Sequence, residues 1–255
     1  MADFVHLEWG RNASSDGFAA TVIVDCLSFS TATSVACGRG ALVVPVADRD
    51  EGKALAVEIG GVCAGKRRED GYSLSPPTLM GLSVNDVLVL PSPNGATLSA
   101  LPREGRVFAA ALRNASAVAA YLKVISGKIL LVAAGEKWPD ASLRPAFEDQ
   151  LACGALAHML DCAMSPEASI ARAGYLSCAD DLHGALKGCV SGQELTHYGY
   201  AGDVDWAADL DSESCVPELR QIELGGKVVN AFGDVSRASH GRSKVELTSG
   251  FILLE

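Results

Sequence analysis

The chain is predicted to fold as an α/β domain with a mixed, mainly parallel sheet. Three observations carry this. Up to about residue 165, short apolar runs rich in β-branched residues alternate with segments that can be helical, the pattern of a layered α/β domain with a parallel sheet. From Leu219 onward the tail reads as strands, with Gly225-Gly226 suited to a hairpin turn, and this adds antiparallel pairing. Of the 255 residues, 49% are hydrophobic and 20% charged, enough apolar matter for a sizeable core. No repeat, low-complexity run or linker interrupts the chain. Residues 1–255 are therefore expected to form a single domain, with 221–255 as a strand-rich C-terminal extension.

Taken in order, Thr21-Val22-Ile23-Val24 is a β-branched run bounded by polar residues and reads as a buried strand. A helix follows over Ser30–Cys37, ending at Gly38 and Gly40. Leu42–Val46 is a strand, Asp50–Ile59 a helix stopped by Gly60-Gly61, and Val62–Ala64 a short strand. Lys66 to Met80 is a polar loop. Val87–Leu90 is a strand closed by Pro91 to Gly95. Val107–Leu112 is the next strand, and Asn114 caps a helix over Ala115–Val124. Strand Lys128–Ala133 leads into Gly135-Glu136. After a loop to Arg144, a helix starts at Pro145, a residue suited to a first helical position, and runs to about Asp161. Residues 165–213 read as short helices opened by Pro166, Asp181 and Asp203. Arg220–Leu224 and Lys227–Ala231 form the hairpin.

In such sheets ligands bind outside the carboxyl ends of the strands. Four strand exits carry chemistry-bearing residues: Asp25 with Ser28, Ser30 and Thr31; Ser92 with Asn94 and Gly95; Arg113 with Asn114; and Glu136. If the strands are parallel neighbours, all four exits share one rim. The first exit, an acid followed by hydroxyls and a helix start, suits an anion held on free N–H groups. Asp25 would repel that anion unless a cation lay between them. The alternative is an ordinary strand-to-helix turn capped by Ser30. Asn94-Gly95 is either a plain turn or an amide cradle for phosphate. Arg113 is either a surface arginine or a bidentate anion ligand. Glu148-Asp149, in the first turn of a helix, either offset the helix dipole or supply hard oxygen ligands for Mg²⁺. Lys66-Arg67-Arg68 is either a solvated loop or a basic loop that closes over substrate.

Several classes are excluded or demoted. A net charge of −10 argues against nucleic acid or an anionic membrane surface as partner. No apolar run approaches the ~18 residues of a spanning helix, despite a mean hydropathy of +0.21. The N-terminus lacks a basic n-region, which argues against a signal peptide and for a cytoplasmic protein. The eight cysteines then read as reduced, and with no C-x-x-C pair a zinc site is not expected. A C-x5-R phosphatase motif, a P-loop and a G-x-S-x-G elbow are absent. Asp203-Val204-Asp205 follows no buried strand and reads as a helix start.

In ordered motifs the chain resembles the 2-phosphosulfolactate phosphatase family. Val24-Asp25-Cys26-Leu27-Ser28-Phe29-Ser30-Thr31 is similar to its V-D-V-L-R-A-S-T segment, and Leu74-Ser75-Pro76 to its N-S-P loop. Ser92-Pro93-Asn94-Gly95-Ala96 is similar to its T-x-N-G-T turn, and Leu112-Arg113-Asn114-Ala115 to its R-N-A helix start. Glu148-Asp149 with Gly154 is similar to its E-D-x4-G segment. The resemblance spans roughly residues 5–220. Two positions depart from it: Ser28 stands where the family commonly has Arg, and Gly65-Lys66-Arg67 replaces its G-E-R loop.

The resemblance implies a three-layer α/β/α fold, Mg²⁺, hydrolysis of a phosphate ester of a small 2-hydroxy acid, and a place in coenzyme M biosynthesis. The expected catalytic and metal-holding residues are Asp25, Glu148 and Asp149. Ser28, Ser30, Thr31, Asn94, Gly95, Arg113 and Asn114 are expected to bind substrate, with phosphate on the amides after Asp25 and on the Asn94-Gly95 turn. A small anionic phosphate ester is the expected partner, and a homo-oligomer is left open. The rival reading is a non-catalytic anion-binding or regulatory protein on the same fold, motivated by the loss of Arg at Ser28.

Overall fold

In the computed structural model, residues 1–102 and 104–236 are described. The chain begins with β1 (Ala2–Trp9), β2 (Ala20–Val24), α1 (Phe29–Gly38), β3 (Leu42–Val46), α2 (Arg49–Ile59), β4 (Val62–Cys63), β5 (Val87–Pro91) and α3 (Gly95–Ser99). It continues through β6 (Arg106–Ala109), α4 (Ala115–Lys123), β7 (Gly127–Ala133), the short strands β8 (Glu136–Lys137) and β9 (Leu143–Arg144), and α5 (Phe147–Leu160). Then come β10 (Ala163–Met164), α6 (Pro166–Cys178), α7 (Leu182–Gly188), α8 (Val190–His197), α9 (Ala201–Ala208), β11 (Pro217–Leu224) and β12 (Lys227–Asp234).

Among these residues one mixed sheet runs in the order β10-β1-β7-β2-β6-β11-β12-β3-β5-β4. Two parallel groups, β10-β1-β7-β2-β6 and β3-β5-β4, are joined by the antiparallel hairpin of β11 and β12. Both faces are covered. Val22, Val24, Phe108 and Leu131 pack under α4, α5 and α6. Ile23, Val107, Leu130 and Val132 pack on the opposite side with Leu98. Val44 and Val89 lie with Ile59 of α2, and Val43, Leu88 and Leu90 with Phe29 and Val35 of α1. Each such side chain contributes about 1.5–3 kcal/mol on burial. The result is the three-layer α/β/α arrangement.

Besides the short elements α3, β8, β9, β10 and α8, which the sequence reading lacks, and α9, which begins at Ala201 rather than Asp203, four departures bear on the site. β1 was missed, because only Val5 and Leu7 of its eight residues are buried. The strand expected over Val107–Leu112 stops at Ala109, where Asn114 gathers the chain: its Oδ1 accepts from the Ala111 amide and its Nδ2 donates to the carbonyls of Ala109 and Cys215. The helix expected from Pro145 starts at Phe147, because Arg144 is held extended by pairing with Glu136 and a residue before proline resists the helical region. Finally, the hairpin is no edge extension. It sits mid-sheet, its turn made by two positive-φ glycines, Gly225 (57°) and Gly226 (78°), as a type I′ turn requires. Residues 237–255 of the predicted extension lie outside the described residues.

The Gly154 of the E-D-x4-G segment has a packing role. A Cβ there would fall 2.1 Å from the Ala171 carbonyl oxygen of α6, a backbone atom that cannot swing aside. Gly154→Ala is expected to lower stability by about 1–3 kcal/mol as overpacking outweighs the gain in helix propensity. Gly174→Ala, where a Cβ meets nothing within 4 Å, is expected to raise it by up to ~1 kcal/mol. Urea unfolding of the two variants reads both signs.

Candidate active site

The turn after β2 is locked by its own hydroxyls. Ser30 Oγ donates to the Ile23 carbonyl (3.0 Å) and accepts from the Asp25 amide (3.0 Å). Thr31 Oγ1 donates to the Cys26 carbonyl (2.7 Å). The amides of Ser28 and Ser30 both donate to the Asp25 carbonyl. This fixes the Asp25 carboxylate, which accepts from the Phe29 amide on Oδ1 (3.3 Å) and from the Gly95 amide on Oδ2 (2.9 Å). Gly95 comes this close because it has no side chain: a Cβ would lie 2.3 Å from Phe29 Cδ1.

Asp149, in the first turn of α5, spans two neighbouring strand exits. Its Oδ1 accepts from the Cys26 amide after β2 (2.7 Å), and its Oδ2 from the Gly135 amide after β7 (2.7 Å). Glu148 beside it accepts a long contact from the Cys189 thiol (3.4 Å). Burial is the largest cause that pushes the Asp25 carboxyl up to about 6; the negative charge of Glu136 and, less, of Glu148 adds to it, against the lowering bonds from Gly95 and Phe29. Burial, then the charges of Glu148 and Asp25, push Asp149 well above the carboxylate range. Burial and Glu148 push the Cys189 thiol to about 12, so it is inert as a nucleophile. All eight cysteines are free thiols.

Of the amides proposed from sequence as a phosphate cradle, those of Cys26, Phe29 and Gly95 are taken by the protein's own carboxylates, and those of Ser28 and Ser30 by the Asp25 carbonyl. Ser30, Thr31, Gly95 and Asn114 shape the turns. Arg113, expected to bind an anionic group, has protein partners of its own. Its guanidinium donates to the Trp206 carbonyl (2.6 Å), pairs with Asp209 (3.3 Å) and Glu213 (3.6 Å), and lies over the Trp206 ring. It anchors α9 and the segment that follows. Ser28 accepts from Arg67 Nη2 (2.6 Å), while Arg67 Nε donates to the buried Asp203 (2.8 Å), which also accepts from Ser75. The basic loop is therefore tied down through Arg67 onto the start of α1, and Asp203 is a buried hub inside α9.

Open space lies next to the acids. A cavity of about 190 Å³ is lined by Asn94, Gly135, Glu136, Arg11, Asn12 and Lys137, among others. Asn94 precedes the glycine bonded to Asp25, and Glu136 is the acid whose charge acts on Asp25, so cavity and acid cluster adjoin. Sequence reasoning missed Arg11, Asn12 and Lys137. Their signal was weak: Arg11 and Asn12 follow the strand that was overlooked, and Lys137 was read only as the start of a loop. Among the described residues no three His, Cys, Asp or Glu side chains are placed to close on one metal ion. The donors at hand are hard carboxyl oxygens, those of Asp25 and Asp149 on acids whose charged form burial disfavours. They suit Mg²⁺, which is held by one or two carboxylates and completes its shell with water and phosphate oxygens.

A family model described as 2-phosphosulpholactate phosphatase matches residues 10–222. The chain belongs to the 2-phosphosulfolactate phosphatase family. Relatives include a protein of Synechococcus named probable 2-phosphosulfolactate phosphatase, 31% identical over 246 residues, covering 87% of this chain and 97% of that protein. One of Methanothermobacter thermautotrophicus named 2-phosphosulfolactate phosphatase is 28% identical, covering 88% and 96%. One of Pseudothermotoga lettingae, also named a probable 2-phosphosulfolactate phosphatase, is 27% identical, covering 77% and 87%. The family is one of hydrolases. Among the described residues no helix is long and apolar enough to cross a membrane.

The raised carboxyl of Asp25 has a sign that can be measured. The folded state holds the proton more tightly than the unfolded chain, so the Asp25 contribution is fully present below about pH 4 and is lost as pH rises through about 6. In chelator, wild type is expected to lose on the order of 2–3 kcal/mol relative to Asp25→Asn between pH 4 and 7. Urea unfolding of both proteins across that range measures it; a flat difference removes the buried-charge account.

Proposed function

We propose that this chain hydrolyses the phosphate monoester of a small 2-hydroxy acid, 2-phosphosulfolactate, with Mg²⁺. The carrying observation is the gathering of Asp25, Glu136, Glu148 and Asp149 from the exits of β2 and β7 and the first turn of α5. So much buried like charge is costly without a cation, and a cation there is what a phosphate ester needs.

Asp25 and Glu148 are the residues proposed to hold Mg²⁺. Asp149 takes the shorter pair of amide bonds, 2.7 Å on each oxygen, and serves chiefly to position the two turns. When bound, the ion supplies charge stabilisation at the phosphoryl oxygens and an acidified water. The chain's own residues do the rest. The paired amide bonds on Asp25 fix its carboxylate in one orientation before substrate arrives. Glu136, at the cavity wall, faces the incoming ester and is placed to accept a proton from water in the pocket. The cavity, walled by Leu98 and Leu143 on its apolar side, limits the ester to a small acid and excludes bulk water from part of its surface.

Asp25→Asn keeps the shape and removes the charge. Release of phosphate from 2-phosphosulfolactate is expected to fall by at least a hundredfold, about 3 kcal/mol in the barrier, with the far-ultraviolet circular dichroism unchanged. EDTA is expected to abolish wild-type turnover and added Mg²⁺ to restore it. Activity that survives in both tests would falsify the metal-centred reading and leave the non-catalytic anion binder.

A further inference from the structure

If the amides after β2 do not hold the substrate's anionic groups, something else must. Cys26 donates to Asp149, Phe29 and Gly95 donate to the Asp25 carboxylate, and Ser28 and Ser30 donate to the Asp25 carbonyl. The obvious arginines are committed as well: Arg67 to Asp203, Arg106 to Glu218, Arg113 to Asp209 and Glu213, and Arg144 to Glu194. Two cations on the wall of the cavity beside the acids remain. Arg11 follows β1, and Lys137 lies on β8. Both are exposed to solvent, and neither makes an ion pair with a described residue. In a chain of net charge −10, two unpaired cations from separate elements at one small cavity are a selective feature.

We infer that Arg11 and Lys137 are the specificity-determining residues of this site, holding the two non-reacting anionic groups of the substrate, its carboxylate and its sulfonate. The inference rests on the proposed phosphatase reading for the identity of the ligand. The division of labour follows from charge. The phosphate needs a cation of its own, because the acid cluster repels it. The far end of the substrate meets Arg11, whose planar fork matches an oxyanion bidentately, and Lys137, a point charge on a flexible stem. Asn94 and Asn12, on the same wall, supply neutral hydrogen bonds between the two ends. A substrate with phosphate alone leaves both cations unused.

The test compares 2-phosphosulfolactate with p-nitrophenyl phosphate, which carries no second anion. In Arg11→Ala and in Lys137→Ala, the preference in kcat/KM for 2-phosphosulfolactate is expected to fall at least tenfold, chiefly through KM, and about a hundredfold in the double variant. Arg11→Lys and Lys137→Arg are expected to recover most of it. In parallel, calorimetry with sulfolactate, which needs no turnover, is expected to show affinity falling at least tenfold in each alanine variant. Equal losses on both esters, or no change in preference and affinity, overturn the inference. A wild type that hydrolyses neither ester but loses sulfolactate binding in the double variant keeps the inference and removes the catalytic reading. A wild type that binds no sulfolactate removes the inference even if it is a phosphatase.

Discussion

The arrangement of this site depends on one buried carboxylate shared between two backbone amides. Asp149 takes the N–H of Cys26 on one oxygen and of Gly135 on the other, both at 2.7 Å. These amides lie just beyond β2 and β7, neighbours in parallel register, so a single side chain from α5 fixes the spacing of two strand exits. Two charge-assisted bonds are strong and directional, which offsets part of the cost of burying the charge. Once the two exits are set, Cys26 and Ser30 place Asp25, Gly135 leads into Glu136, and the acids are brought together.

The same economy explains why a site for an anionic ester is lined with anions. Backbone amides at a helix start are anion ligands by nature, and here they orient protein carboxylates instead of substrate. Burial, with the charges of Glu136 and, less, Glu148 added to it, raises the Asp25 carboxyl to about 6. On the proposed reading, ligand recognition is left to the cavity wall and its side chains.

Much of this was legible in the chain and some was not, for physical reasons. Asp25, Asn94-Gly95 and Glu136 stood out because buried β-branched runs end sharply and leave polar residues at strand exits, and Glu148-Asp149, in the first turn of a helix, through the family resemblance. What escaped notice were relations that local patterns do not carry. Whether the Cys26 amide faces solvent, a ligand or a carboxylate 123 positions away is decided by tertiary structure. Arg113 looked like a rim cation because its partners, Asp209 and Glu213, are nearly a hundred residues further on. β1 and hence Arg11 were missed because a strand with two buried residues barely alternates.

The four exits do not belong to one run of parallel neighbours. The antiparallel hairpin makes β3, β5 and β4 run against β2, β6 and β7, so in a flat sheet the end of β5 would lie far from Asp25. Yet Gly95, four residues past β5, bonds that carboxylate. The four residues that follow β5 carry the chain back to the Asp25 turn. The contact is closed by Gly95 lying against Phe29 with no room for a Cβ. The strand that joins the two groups, β12, meets β3 through Phe232 opposite Val43, beyond residue 222 where the family match ends. In this chain the hairpin that looks like an appendage is thus the hinge across which the two halves of the site are held together.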